Sequence, residues 1–167
     1  MQYNTNFSKG YHTMKDKKQV YLRVALALYC AVMIYLLFFN GRQNYFNLPF
    51  SDYVRRNTNF IPFHYIVGYF RNIMAGENFH YAIVNLVGNV AVFIPLGALI
   101  PLVFKKLASF WKYILSAIII PVVIESTQLV FMVGCFDVDD IILNVLGLLI
   151  GYGIYALIKK HNCTEIV

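Results

Sequence analysis

The chain has 167 residues, with 14 Lys+Arg against 8 Asp+Glu, a formal net charge of +6, 59% hydrophobic residues and only 13% charged ones. Soluble domains carry about 25% charged and roughly 45–50% apolar residues, which excludes that class. Disorder is excluded too, because disordered chains are poor in aromatics and here 17% of residues are Phe, Trp or Tyr.

A hydrocarbon core of about 30 Å needs about 20 mostly apolar helical residues. Residues 1–19 read as a lysine-rich tail, and the first span is expected at 20–39 (VYLRVALALYCAVMIYLLFF), with Arg23 close enough to its start to snorkel to the headgroups. This run is too long for a signal-peptide core, and bulky Phe38-Phe39-Asn40-Gly41-Arg42 follows it, so it should stay as an anchor. A long loop comes next. Its stretch 60–79 (FIPFHYIVGYFRNIMAGENF) is too interrupted to span and suits the interface. Pro62 disfavours helix at Ile61, so a surface helix is expected to begin at Pro62, with Asn59 or neighbouring backbone completing its first turn. The remaining spans are expected at 83–103, 113–133 and 138–158, followed by a tail at 159–167. The fold class is thus all-α: a polytopic membrane protein with four transmembrane helices and an interfacial helical loop between the first and second. Cys30, Cys135 and Cys163 are too few and scattered for a disulfide framework.

Cytoplasmic flanks of membrane helices are enriched in Lys and Arg. Lys9, Lys15, Lys17, Lys18 and Arg23, then Lys105, Lys106 and Lys112, then Lys159 and Lys160 all fall on one side. The other side has Arg42, Arg55, Arg56 and Arg71. Both termini are therefore expected in the cytoplasm, with the long loop and the 134–137 turn outside. The positive charge reads as topology and attraction to anionic lipid, and no nucleic-acid partner is expected.

Polar residues inside apolar runs carry the functional signal. A carboxylate near mid-bilayer costs about 2.5–3.5 kcal/mol on insertion scales, so Glu125, midway along the third span, needs a partner, a proton or a water-filled cavity. Gln128 shares its face at i, i+3. The second span adds Asn85 and Asn89 at i, i+4, with Gly88 between them for close approach and with Pro95 and Gly97 suggesting a kink. These amides suit either a ligand clamp or plain interhelical hydrogen bonding. Asp137, Asp140 and Asn144 form a stripe that continues into Gly147 and Gly151, a GxxxG match for helix packing and a candidate face for oligomerisation. Asp137 is also a good N-cap, and acids in a first turn suit the helix dipole, so capping accounts for one or two of Asp137, Asp139 and Asp140.

Asn85, Asn89, Glu125, Gln128, Asp137, Asp139 and Asp140 are expected to converge at the outward end of the bundle, with Asn144 below them. Such a pocket suits the hydroxyl and amino groups of a headgroup or glycan, or a divalent cation held through Asp137 and Asp140. Glu125 and Asp140 are the candidates for acid/base work. No nucleophile with an adjacent base is evident, so binding is expected before catalysis, and no cofactor is expected. His12, His64, His80 and His161 lack metal-ligand spacing and read as surface or interfacial.

From about Asn59 to Tyr152 the chain resembles the VanZ-like membrane protein family. The matching pieces are Asn59-Phe60-Ile61-Pro62-Phe63, Asn85-Leu-Val-Gly88-Asn89 continuing to Phe93-Ile94-Pro95-Leu96-Gly97, Glu125-Ser-Thr-Gln128, and Asp137-Val-Asp-Asp140 followed by Asn144 and Gly147. One departure is Gly134-Cys135-Phe136, where many relatives carry a basic residue. The resemblance implies a bacterial cytoplasmic membrane protein and low-level resistance to the glycopeptide teicoplanin, with no established chemistry. Three roles follow: an envelope protein binding a membrane lipid, cell-wall precursor or glycopeptide; an enzyme acting on a lipid-linked substrate; and a small transporter or accessory subunit, which would require an oligomer.

Overall fold

The computed structural model describes residues 3–39 and 48–164, with side chains for 16–39 and 48–161. His12, Lys9 and Lys15, as side chains, and Arg42 altogether lie outside the described residues. Among the described residues six α-helices follow in order: α1 (Tyr3–Phe38), α2 (Phe50–Arg56), α3 (His64–Ala75), α4 (Phe79–Val103), α5 (Phe110–Val130) and α6 (Val138–Thr164). Short strands β1 (Thr58–Asn59) and β2 (Phe136–Asp137) pair in parallel, with Thr58 opposite Phe136 and Asn59 opposite Asp137.

Four of the helices are long and apolar enough to cross a membrane: Asp16–Phe38, Phe79–Val103, Phe110–Val130 and Val138–His161. Their boundaries differ from the expected ones for local reasons. α5 starts at Phe110 because Ser109 takes the extended geometry of an N-cap, φ −73° and ψ 132°. α1 begins at Tyr3, so most of the expected tail is helical; no proline interrupts residues 1–39. Pro95, Pro101 and Pro121 stay inside helices, as neighbouring helices permit in membrane bundles.

The closest packing in the bundle joins α4 to α6. A Cβ on Gly151 would strike the Ile94 carbonyl oxygen and sit 2.7 Å from Gly97 Cα, and one on Gly147 would strike the Val90 carbonyl oxygen and sit 2.9 Å from Phe93 Cβ. One on Gly97 would meet the Leu148 backbone in turn. The GxxxG face is therefore occupied by the chain's own second span, which corrects the expectation that it is free to join two copies. Gly88, expected to admit a neighbour, has nothing within 4 Å of its would-be Cβ among the described residues. Phe93, Leu96, Ile100, Tyr113, Ala117 and Leu148 form the core with Met33 of α1. The buried Tyr113 hydroxyl reaches the Leu148 and Gly97 carbonyl oxygens at 2.8 and 3.1 Å, across the same seam.

One end of the bundle gathers the lysines. Gln19 donates to the Val103 carbonyl at 3.1 Å, and Tyr152 donates to Ala108 at 2.9 Å. The start of the first span, the α4–α5 turn and the end of α6 are thereby drawn together, and Lys17, Lys18, Lys105, Lys106, Lys112, Lys159 and Lys160 are all exposed there. The loop between α1 and α4 lies at the other end.

Candidate functional site

The loop end is assembled by hydrogen bonds more than by apolar burial. Tyr53 of α2 is fully buried; its hydroxyl donates to the Gly134 carbonyl and accepts the Gly134 N–H at 3.2 Å. The Phe136 N–H donates to the Asn57 carbonyl at 2.9 Å. These contacts lay the stretch after α2 beside the turn that leads into α6, and β1 and β2 pair as a result.

The three aspartates then take separate tasks. Asp137 caps its own helix, as its position suggested: Oδ1 accepts the Asp139 N–H at 2.9 Å and the Asn59 side-chain amide at 2.9 Å. Burial holds the Asp137 carboxyl above the ordinary carboxylate range; the hydrogen bonds from Asn59 and the Asp139 N–H pull it back, the Asp139 charge raises it further and His64 opposes. Asp139 is 1% exposed and caps a different helix, α3. It accepts N–H bonds from Phe63 at 2.5 Å, Tyr65 at 2.7 Å and Ile66 at 3.1 Å. Asp140 Oδ1 accepts the Asn89 amide at 2.5 Å and so ties α6 to α4.

This trans-capping corrects the expected start of the loop helix. α3 begins at His64, and Pro62 lies in the preceding turn. Asn59 Oδ1 accepts the Ile61 N–H at 3.1 Å. Phe63 takes a left-handed conformation, φ 65°, uncommon for a residue with a side chain. In exchange, the free N–H groups of the first turn reach a buried carboxylate. Asn59, Pro62 and Phe63 thus shape the loop that meets Asp139.

The amides and the remaining acid lie further down. Gln128 is buried and donates to the Leu37 carbonyl at 2.7 Å, fastening α5 to α1. Glu125, 4% exposed, sits one turn, about 5 Å, deeper on the same helix face and inside the bundle. Asn85 donates to the Tyr81 carbonyl of its own helix at 2.8 Å. Asn144 is 2% exposed, and its Oδ1 has no hydrogen-bond partner among the described residues.

A polar pocket of about 240 Å³ opens at this end. Of the residues singled out from sequence, Asn59, Asn85, Gln128, Asp137 and Asp140 line it, and Asn89 is bonded to its wall through Asp140. Glu125, Asp139 and Asn144 do not line it. Arg56, Asn57, Thr58, Tyr65, Tyr69, Tyr81 and Cys135 complete the lining and were not anticipated. The i, i+4 spacing of Tyr65 and Tyr69 was the available signal; Arg56, from the end of α2, brings a guanidinium to the pocket where the 134–136 turn has none. Among the described residues no group of three or more His, Cys, Asp and Glu is placed to hold a metal ion. A second hollow, about 340 Å³ and almost wholly apolar, lies between α1, α4 and α5. Leu37 and Ile124 line it, so it sits across the Gln128–Leu37 bond from the polar pocket.

The sequence pattern of the VanZ/LLP1 family matches residues 26–159, which hold the second half of the first span, the second and third spans whole and nearly all of the fourth. The chain belongs to the VanZ/LLP1 family. It is 30% identical over 139 residues to Protein VanZ of Enterococcus faecium, an alignment that covers 83% of this chain and 76% of that protein. No solved structure matches it. Taken with the four apolar helices, membership makes this a VanZ-like membrane protein.

Proposed function

We propose that this VanZ/LLP1 protein acts in the bacterial cell envelope as a binder, giving low-level resistance to teicoplanin and related lipoglycopeptides by holding a lipid, a cell-wall precursor or the drug at its polar pocket. The pocket faces outward and both termini lie in the cytoplasm. The supporting observation for orientation is the gathering of exposed lysines at the opposite end. The observation that carries the binding reading is the pocket itself, where carboxylates and amides from α4, α5 and the start of α6 meet the loop. Beside it stands an apolar surface suited to an acyl chain: Phe60, Phe63, Phe70 and Met74 are each more than half exposed.

A strain lacking the gene, complemented with wild type or with Asp140→Asn, tests this reading. Deletion is expected to raise teicoplanin susceptibility a few-fold, wild type to restore it and Asp140→Asn to restore it only in part. Equal susceptibility across all strains would remove resistance from the account. Lipid and precursor profiles of overexpressing cells are expected to show no new product, since a binder leaves composition unchanged.

A further inference from the structure

The pocket carries a charge balance opposite to that of the chain. The sequence is +6, yet among the described residues the acids and strong bases lining the pocket are Asp137 and Asp140 against the guanidinium of Arg56. Among those residues an anionic ligand meets no surplus of positive charge, whereas a cation meets two carboxylates.

Three tyrosines share that wall. The ring centroids of Tyr65 and Tyr69 are 6.4 Å apart with planes at 27°, and those of Tyr69 and Tyr81 are 5.9 Å apart with planes at 69°. Rings set at a steep angle beside carboxylates are the arrangement that takes substituted ammonium groups, through the negative potential of the ring faces. Tyrosines of an ordinary interfacial belt need no acid beside them. Here the Tyr69 hydroxyl is held above its usual range first by burial, then by Tyr81 and by the negative charge of Asp140, which places ring and carboxylate within electrostatic reach. At about 240 Å³ the pocket is smaller than the roughly 300–1,000 Å³ of sites that enclose drug-sized molecules, so it takes a headgroup-sized moiety.

Resting on the reading that this pocket binds an envelope ligand, we propose that the group it recognises is an ammonium, held against Tyr69 and Tyr81 and neutralised by Asp140 and Asp137. The ammonium belongs to a lipid headgroup or to an amino sugar, and Arg56 gives the pocket a partner for the phosphate of a zwitterionic headgroup.

Titration calorimetry on the full chain in a maltoside detergent tests this with two matched pairs. One is dihexanoyl phosphatidylethanolamine against dihexanoyl phosphatidylglycerol; the other is glucosamine against glucose. The ammonium-bearing member of at least one pair is expected to bind about tenfold tighter, equivalent to about 1.4 kcal/mol, and the pair that shows the preference identifies the source. Tyr69→Leu, Tyr81→Leu and Asp140→Asn should each weaken that binding by about five- to tenfold, while Tyr69→Phe, which keeps the ring face, should stay within about twofold. Equal binding within both pairs would overturn the ammonium inference and leave the pocket as a binding site. A loss as large for Tyr69→Phe as for Tyr69→Leu would overturn the role of the ring face. Absence of binding by all four probes would also overturn the inference, and the resistance phenotype of Asp140→Asn would then decide separately whether the pocket binds at all.

Discussion

The α4–α6 seam and the loop end hold their shape by different physics. At the seam, Gly97, Gly147 and Gly151 let two backbones meet with no room for a methyl group, and the core residues Phe93 and Leu148 close around them. At the loop end, α3 has no buried residue, so apolar burial contributes little to its order. Its first turn is held by one carboxylate from another helix. Inside a bilayer the helices gain little from the hydrophobic effect on meeting, so steric fit decides there; at the loop end hydrogen bonds to side-chain carboxyl groups decide. The membrane-buried half should therefore respond to added volume, and the loop end to lost hydrogen-bond acceptors.

The largest expected effect is on the seam. Gly151→Val forces a side chain into the Ile94 carbonyl and must push α4 from α6, costing about 3 kcal/mol. Denaturation in mixed micelles measures it, and Gly153→Val is the matched control, since nothing lies within 4 Å of its would-be Cβ among the described residues. If both variants unfold alike, the seam is not what holds the bundle. Next in size is Asp139→Ala, which removes the acceptor of three backbone N–H groups and should cost about 2 kcal/mol. The loss should be local: faster hydrogen exchange and proteolysis at 63–75 with the spans intact, and a milder change for Asp139→Asn, which keeps one acceptor oxygen. Tyr53→Phe strips the buried Gly134 N–H and carbonyl of their shared partner, and a cost of about 1–2 kcal/mol is expected. Exchange at the 134–137 turn reports it.

The two regions also differ in how far they could be read from sequence. The four spans follow from apolar length alone, and the expected 83–103 and 138–158 runs lie within α4 and α6. The GxxxG match showed that some helix would pack closely at Gly147 and Gly151, but a spacing rule carries no information about the partner; α4 is that partner because its Gly97 lies opposite. At the loop end, Asp137 was legible as an N-cap because capping is local. Asp139 was not, because the helix it caps lies more than 70 residues upstream and no local pattern joins them. The parallel pairing of β1 with β2 was hidden for the same reason: two residues on each side give no periodicity to detect. Arg56 and Tyr69 reach the pocket through that same long-range fold-back, whereas Tyr81 lies on α4 at i, i+4 from Asn85 and shares the face already expected there.

The smallest effect tests the hydrogen-bonded side of the comparison through the sign of a pH dependence. Burial raises the Asp137 carboxyl above its ordinary value of 3.8, and the bonds from Asn59 and the Asp139 N–H only partly offset this. The folded state therefore keeps the proton to a higher pH than the unfolded state does. Between those two values the native protein binds more protons, so this group's stabilising contribution is fully present below about pH 4 and declines as pH rises. Asp137→Asn retains an oxygen to accept from Asn59 and Asp139 and a competent N-cap, but it cannot titrate. Relative to that variant, the wild type should lose stability as pH rises from about 4 towards neutral, with the difference read from denaturation midpoints at each pH. A difference that grows in the opposite direction would mean that the two hydrogen bonds outweigh burial, and that the loop end is held by the ionised form of Asp137 as firmly as α3 is held by Asp139.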